Sequence, residues 1–181
     1  MHTKTKKILW ILFKTALFTA LVPFMVGLRI PYYINAAYSA PTDTLYVSLP
    51  KFLLGLCFLA AGAAIYLWCA WDFAVKGLGT PAPIDAPKTL VVNGLFRFVR
   101  NPMYLGVLCL IISQSLISAS IPILLYLIFV GVCFHLFITF YEEPHLRSIF
   151  GEQYVDYCRR VPRWIPRLTV AGPHATGRQS S

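Results

Sequence analysis

The sequence predicts an all-α integral membrane protein, with about four transmembrane helices and a C-terminal cytosolic amphipathic helical segment. Three observations predict it. Mean hydropathy is +0.65 and 57% of the 181 residues are hydrophobic, too apolar a balance for an ordinary soluble domain. Residues 52–71 are a run of 20 and residues 103–141 a run of 39 without Asp, Glu, Lys or Arg. A hydrocarbon core about 30 Å thick needs roughly 20 apolar residues per helix, so the second run is long enough for two spans. Finally, four spans put thirteen of the sixteen Lys and Arg residues on one side of the bilayer.

Each element follows in order. The first span, near 8–30, holds Lys14, close enough to its end to snorkel, and Pro23, which membrane helices tolerate. It follows a basic N-terminus as a signal peptide would. Its apolar stretch is long and no small-residue cleavage site follows, so a retained span is expected. The second span lies near 50–73. Three prolines and two glycines within 77–87 exclude a helix there, and 88–92 reads as a short extended piece leading to Gly94. The long apolar run breaks at Ser113-Gln114-Ser115 and Ser118-Ala119-Ser120-Ile121-Pro122, which suits a tight hairpin between spans near 102–118 and 121–141. Pro144 fits the first turn of a new helix, where its missing N–H costs nothing. Beyond it Leu146, Ile149, Phe150, Tyr154, Tyr157 and Val161 recur at near-helical spacing, with Gly151 bending or splitting the element. Such a segment lies on the membrane surface or packs as a lid over the third and fourth spans. From Ala171 the Gly-, Ser- and Thr-rich tail is expected to be disordered. The organisation is thus an N-terminal membrane hairpin (1–75), a catalytic-type region (76–170) and a tail (171–181).

Charge sets the orientation. Lys4, Lys6, Lys7, Lys76, Lys88, Arg97, Arg100 and every arginine from Arg147 on share the side of both termini, while Arg29 and Lys51 fall opposite. The positive-inside rule makes the crowded side cytoplasmic, in a multi-pass protein expected in a bacterial inner membrane. The formal net charge of +9 is therefore topology. No nucleic-acid partner is expected, because the arginines hug span ends instead of forming a detached basic domain. Cys57, Cys69, Cys109 and Cys133 sit in apolar spans and pack as small hydrophobes. Cys158 lies on the reducing side, and without a CxxC pair neither a disulfide framework nor a zinc site is supported.

Polar chemistry concentrates at the start of the third span and the end of the fourth. Arg97 and Arg100 flank Asn101 and Pro102, with Tyr104 one turn into the helix. Two guanidinium groups and the unpaired N–H groups of a helix N-terminus suit an anionic or zwitterionic ligand. Glu142 and Glu143 follow the fourth span. A carboxylate near the hydrocarbon boundary is costly and usually faces a polar cavity or a partner. Glu143 also has i,i+4 spacing to Arg147, the pattern of a plain helix start. Helical spacing puts His135, Thr139 and Glu142 on one face. Glu142 and His145 form one Glu-x-x-His pair, but a di-iron site needs a second copy and further carboxylates, so no metal is expected. These residues read as a cytoplasm-facing pocket for a polar, partly charged cofactor.

The ordered set Leu90-Val91, Gly94, Arg100-Asn101-Pro102-Met103-Tyr104-Leu105-Gly106, Glu142-Glu143, Phe150-Gly151-Glu152-Gln153-Tyr154 and Val161-Pro162-Arg163-Trp164-Ile165-Pro166 resembles the isoprenylcysteine carboxyl methyltransferase family, in its wide bacterial sense with the related phospholipid methyltransferases. The resemblance covers residues 88–166. It implies a membrane methyltransferase using S-adenosylmethionine, with the cofactor in a cytosolic pocket closed by the C-terminal segment. A lipophilic small-molecule or prenylated substrate then enters from the bilayer. Carried over, the cofactor-binding positions are Lys88, Thr89, Leu90, Val91, Asn101, Pro102, Met103, Tyr104 and Glu142. Arg100 and Glu143 stand nearest the chemistry, Glu143 or a tyrosine serving as base where the acceptor must lose a proton. Three positions depart from the eukaryotic pattern. Asn101 replaces a histidine, Phe96 replaces a cofactor-contacting tyrosine, and Ile138 replaces an arginine that holds a substrate carboxylate.

Methyl transfer from a sulfonium asks for in-line positioning and exclusion of water rather than a nucleophilic side chain. Two other readings share the pattern. Membrane sterol and steroid reductases, which bind NADPH, carry a related Arg-x-Pro-x-Tyr-x-Gly element, an acidic pair and a Val-Pro element. A non-catalytic membrane subunit retaining the fold is the third.

Overall fold

The computed structural model describes residues 17, 23–38, 48–72, 90 and 92–167, and among these residues all regular structure is helical. A π-helical turn, Met25–Arg29, leads into α1 (Ile30–Tyr38). Helix α2 is Leu49–Asp72, and a 3-10 turn, Gly94–Arg97, precedes α3 (Pro102–Ser118). Helix α4 (Ile121–Phe137) passes through a second π turn, Ile138–Glu142, into α5 (Glu143–Phe150), and α6 is Glu152–Arg160. Among the described residues two helical runs, Leu49–Asp72 and Ile121–Phe150, are long and apolar enough to cross a membrane. Helix α3 is apolar but has 17 residues. Residues 8–16 and 18–22 of the first expected span, the 77–87 segment and the tail lie outside the described residues.

The expected hairpin is present. Helix α3 stops at Ser118, Ala119 takes the left-handed conformation (φ 49°), and α4 restarts with Pro122 in its first turn. Two elements differ from expectation. The first helix continues past residue 30 to Tyr38, with Pro31 inside it, and no break separates the fourth span from the Pro144 helix. Both differences have one cause. Proline donates no N–H and its ring crowds the carbonyl four residues back. In each case the residue before the proline donates its N–H five residues back instead, Ile30 to the Met25 carbonyl and Glu143 to the Ile138 carbonyl. The widened turn lets the helix run on through the proline. At the first site the freed carbonyls find side chains of neighbouring helices. Gln114 Nε2 of α3 donates to Gly27 O at 2.6 Å, and the Tyr126 hydroxyl of α4 donates to Val26 O at 3.1 Å. Neighbouring helices thus satisfy the backbone that the proline frees.

Helices α2 and α3 pack antiparallel along small residues. A Cβ on Gly62 would stand 2.7 Å from the Gly106 carbonyl, and one on Gly55 would meet the Ser113 carbonyl at 3.1 Å. Gly55 and Gly62 lie two turns apart on α2, as Gly106 and Ser113 do on α3, so the backbones approach along the whole crossing. In lipid, such van der Waals contact replaces the hydrophobic drive for helix association. Helices α1 and α4 close the bundle around Tyr66, Ala70, Val107, Ile111, Ile123 and Val130. The opposite face of α4 carries exposed Leu124, Leu125, Ile128, Phe129 and Val132.

Beyond the bundle, Gly151 (φ 53°, ψ −132°) turns the chain between α5 and α6. Helix α6 then buries Tyr154, Tyr157 and the following Val161 against Leu90, Val92, Leu146 and Phe150. The amphipathic segment therefore folds back on the end of the bundle where α3 begins.

Candidate functional site

The start of α3 is built from three stretches distant in sequence, the end of α2, residues 94–101 and residues 157–167. Gly94 opens the 3-10 turn with φ 58°, and a side chain there would collide with the Asp72 carboxylate at the end of α2. Phe96 is buried against Cys69, and its carbonyl accepts the Tyr157 hydroxyl at 2.8 Å. Burial pushes the Tyr157 phenol well above its ordinary range, so it stays a donor at physiological pH. Residues 98–100 then pair with the segment after α6. Arg100 N donates to Pro162 O at 2.9 Å, and Arg167 N donates to Phe98 O at 3.0 Å. Asn101 precedes Pro102 at the helix start, but its side chain does not cap α3. It reaches across to the same segment, Nδ2 donating to Arg163 O at 3.2 Å.

Two rungs join this start to the π turn that follows α4. The Tyr104 hydroxyl donates to Glu142 Oε2 at 2.6 Å. One turn earlier, Arg100 Nη1 donates to Glu143 Oε1 at 2.8 Å and to Cys158 Sγ at 3.1 Å. Arg163 completes the second rung as a fork, Nε to Oε1 and Nη2 to Oε2 of Glu143, both at 2.8 Å. The Glu143, Arg100 and Arg163 side chains are 13%, 14% and 27% exposed, so these ion pairs are shielded from solvent. The bond to Glu143 holds the Arg163 guanidinium above its ordinary value despite partial burial. Trp164 Nε1 donates to His135 Nδ1 at 3.2 Å, and the Tyr104 ring meets Phe134 edge-on at 4.8 Å.

Beside the second rung lies an open recess of about 390 Å³ lined by Thr139, Glu143, Pro144, Arg147 and Ser148, within the roughly 300–1,000 Å³ range of small-molecule sites. Among the described residues, Thr139 Oγ1 and Arg100 Nε are buried without hydrogen-bond partners. The recess therefore presents a guanidinium at Arg147 with no carboxylate partner and a Thr139 hydroxyl with no hydrogen-bond partner among the described residues, while Glu142, held by Tyr104, is adjacent in sequence to its lining residue Glu143.

Of the residues expected at the site, the fold brings together Arg100, Asn101, Tyr104, Glu142 and Glu143. Pro102 is buried at the helix start, and Met103 packs on Cys69 and Phe96. Leu90 packs on the Tyr154–Tyr157 cluster. Lys88, Thr89 and Val91 lie outside the described residues. Glu143 pairs with Arg100 and Arg163 rather than with Arg147, and both its oxygens accept charge-assisted bonds. Its geometry is that of a clamp between the start of α3 and the segment after α6. His135 does not join an internal stripe with Glu142; it is exposed and holds Trp164. Three participants were not foreseen. Arg163 and Trp164 were visible only as part of a motif without a role. Asp72, 2% exposed, was legible as an acid directly abutting a span, a costly placement that asks for a reason.

The phospholipid methyltransferase family model matches residues 50–153, from α2 to the first residues of α6. Among characterised proteins, the chain is 35% identical over 78 residues to Protein-S-isoprenylcysteine O-methyltransferase B of Arabidopsis thaliana, covering 42% of this chain and 39% of that protein. It is 26% identical over 129 residues to Phosphatidylethanolamine N-methyltransferase B of Dictyostelium discoideum, covering 67% and 62%. It is 33% identical over 99 residues to the Delta(14)-sterol reductase TM7SF2 of Mus musculus, covering 52% and 23%. The chain thus spans less than two thirds of the length of each of these relatives. No solved structure matches it.

Proposed function

The chain belongs to the phospholipid methyltransferase family, and from that premise we propose that it transfers the methyl group of S-adenosylmethionine to a lipophilic acceptor taken from the bilayer. The observation that carries this reading is the pair of rungs, Tyr104–Glu142 and Arg100–Glu143, the second of which borders a recess of about 390 Å³ within the matched stretch. The fold is proposed to cross the membrane four times, with the site on the cytoplasmic face. Every described arginine from Arg97 on lies on the site's side, and Arg29 and Lys51 lie on the other.

The residues present fit the cofactor. When bound, it supplies an activated methyl group on a sulfonium, so the protein contributes no nucleophile. Glu142, with one oxygen held by Tyr104, offers its second oxygen to the ammonium or to a ribose hydroxyl. Arg147 and Thr139 offer a cation and a hydroxyl to the carboxylate. Lys88, Thr89, Leu90 and Val91 are assigned to the same pocket from the family resemblance. Glu143, Arg100 and Arg163 hold the C-terminal segment against the start of α3 and keep water from that end of the site. Orientation and water exclusion then provide the rate.

The test is S-adenosylhomocysteine binding to the purified protein in nanodiscs, measured by calorimetry beside Glu142→Ala. Micromolar binding that is lost in the variant supports the reading; absence of binding by folded wild-type protein overturns it. A second reading, an NADPH-dependent reductase, rests on the likeness to the sterol reductase. NADPH binding with no response to S-adenosylhomocysteine would favour it.

A further inference from the structure

Arg163 grips the bundle with a complete fork while its own backbone is held from the other direction. Its Nε and Nη2 take both oxygens of Glu143, and its carbonyl accepts Asn101 Nδ2. Its neighbours are fixed too: Pro162 O by Arg100 N, Trp164 by His135, and Arg167 N by Phe98 O. Glu143 is adjacent in sequence to Glu142, where the π turn passes into α5. Arg100, its other partner, lies one turn before Tyr104, which holds Glu142. Glu142 and Glu143 thus sit on one turn of helix, the first held by Tyr104 at 2.6 Å and the second by the fork, so a shift of that turn moves both carboxylates.

We propose that Arg163 is a positioning residue for methyl transfer: by forking onto Glu143 it fixes the turn that holds the neighbouring Glu142 against Tyr104 and ties residues 161–167 to the start of α3. The proposal rests on the methyltransferase reading and adds a residue that acts through others. A lysine at this position keeps the charge but supplies no planar fork, so it cannot engage both oxygens at once.

The experiment uses the full chain in nanodiscs as wild type, Arg163→Lys, Arg163→Met and Glu143→Gln. Melting temperature and helical circular dichroism report folding, and stopped-flow release of S-adenosylhomocysteine reports the site. Hydrogen exchange over 98–104, 141–145 and 161–167 reports that tie. Arg163→Met is expected to release S-adenosylhomocysteine at least about tenfold faster, since such contacts act mainly on dissociation. Exchange rises in all three stretches. Arg163→Lys falls between wild type and Arg163→Met while melting like wild type, and it decides the matter if Arg163→Met does not fold. Wild-type release and exchange in Arg163→Lys, or a release rate that merely tracks melting temperature across the series, overturns the positioning role alone. Absence of binding by wild-type protein overturns the cofactor reading, and this proposal with it.

Discussion

Tyr104 and Glu142 touch through a single short bond, whereas Glu143 is surrounded by cations, and the two glutamates should respond differently to neutral substitution. Glu142→Gln keeps the shape and removes the charge offered to the cofactor. Its S-adenosylhomocysteine affinity should fall about 10- to 100-fold, the value of a charge-assisted bond, with little change in melting. Glu143→Ala leaves two shielded guanidinium groups without their anion and should cost about 3 kcal/mol of stability, measured by chemical denaturation in detergent. Alkaline pH gives a further check. Burial raises both Tyr154 and Tyr157 above their unfolded values. Their contribution is complete below the ordinary tyrosine value of about 10 and is lost as pH rises through the higher folded values. Stability should accordingly begin to fall near pH 10, and less steeply in Tyr157→Phe. The sequence made Arg100, Tyr104 and Glu142 legible because each is a polar residue where apolar ones are expected. It hid the role of Glu143, because a helical neighbour, Arg147, stood at the obvious spacing while the true partner, Arg163, is presented by a non-helical segment.

At the scale of elements, proline placement governs more than composition does. The hairpin between α3 and α4 and the proline-initiated start of α3 could be read directly, since small, polar and proline residues interrupt an otherwise unbroken apolar run. The two π turns could not be read. A proline inside an apolar run predicts a boundary as readily as a bulge, and the choice depends on whether a neighbouring helix can satisfy the released carbonyl. Gln114 is that neighbour for Gly27. Gln114→Leu should destabilise the bundle by about 1–2 kcal/mol, seen as a lower melting temperature with unchanged helical content. Gly62→Ala should be at least as damaging, because the new Cβ meets backbone rather than a movable side chain. The expected cost is about 1–3 kcal/mol for an overpacked contact, read in the same melting assay.

For the molecule as a whole, the hydrophobic pattern carried the all-helical class and most of the helix order, and charge supplies the proposed orientation. An orientation test is direct: Ser148→Cys should react with a membrane-impermeant maleimide only from the cytoplasmic side, and Tyr38→Cys only from the opposite side. What no local pattern conveys is closure, the joining of residues 98–101 to 162–167 by backbone and side-chain bonds. That closure has a temporal consequence. Helices enter the bilayer in the order of synthesis, and Tyr104 can meet Glu142 once the fourth helix is in place. The clasp waits for Arg163. A nascent chain with its bundle assembled still lacks the clasp until Arg163 has emerged, so a chain truncated before residue 161 is expected to keep the bundle and, on the methyltransferase reading, to release S-adenosylhomocysteine faster.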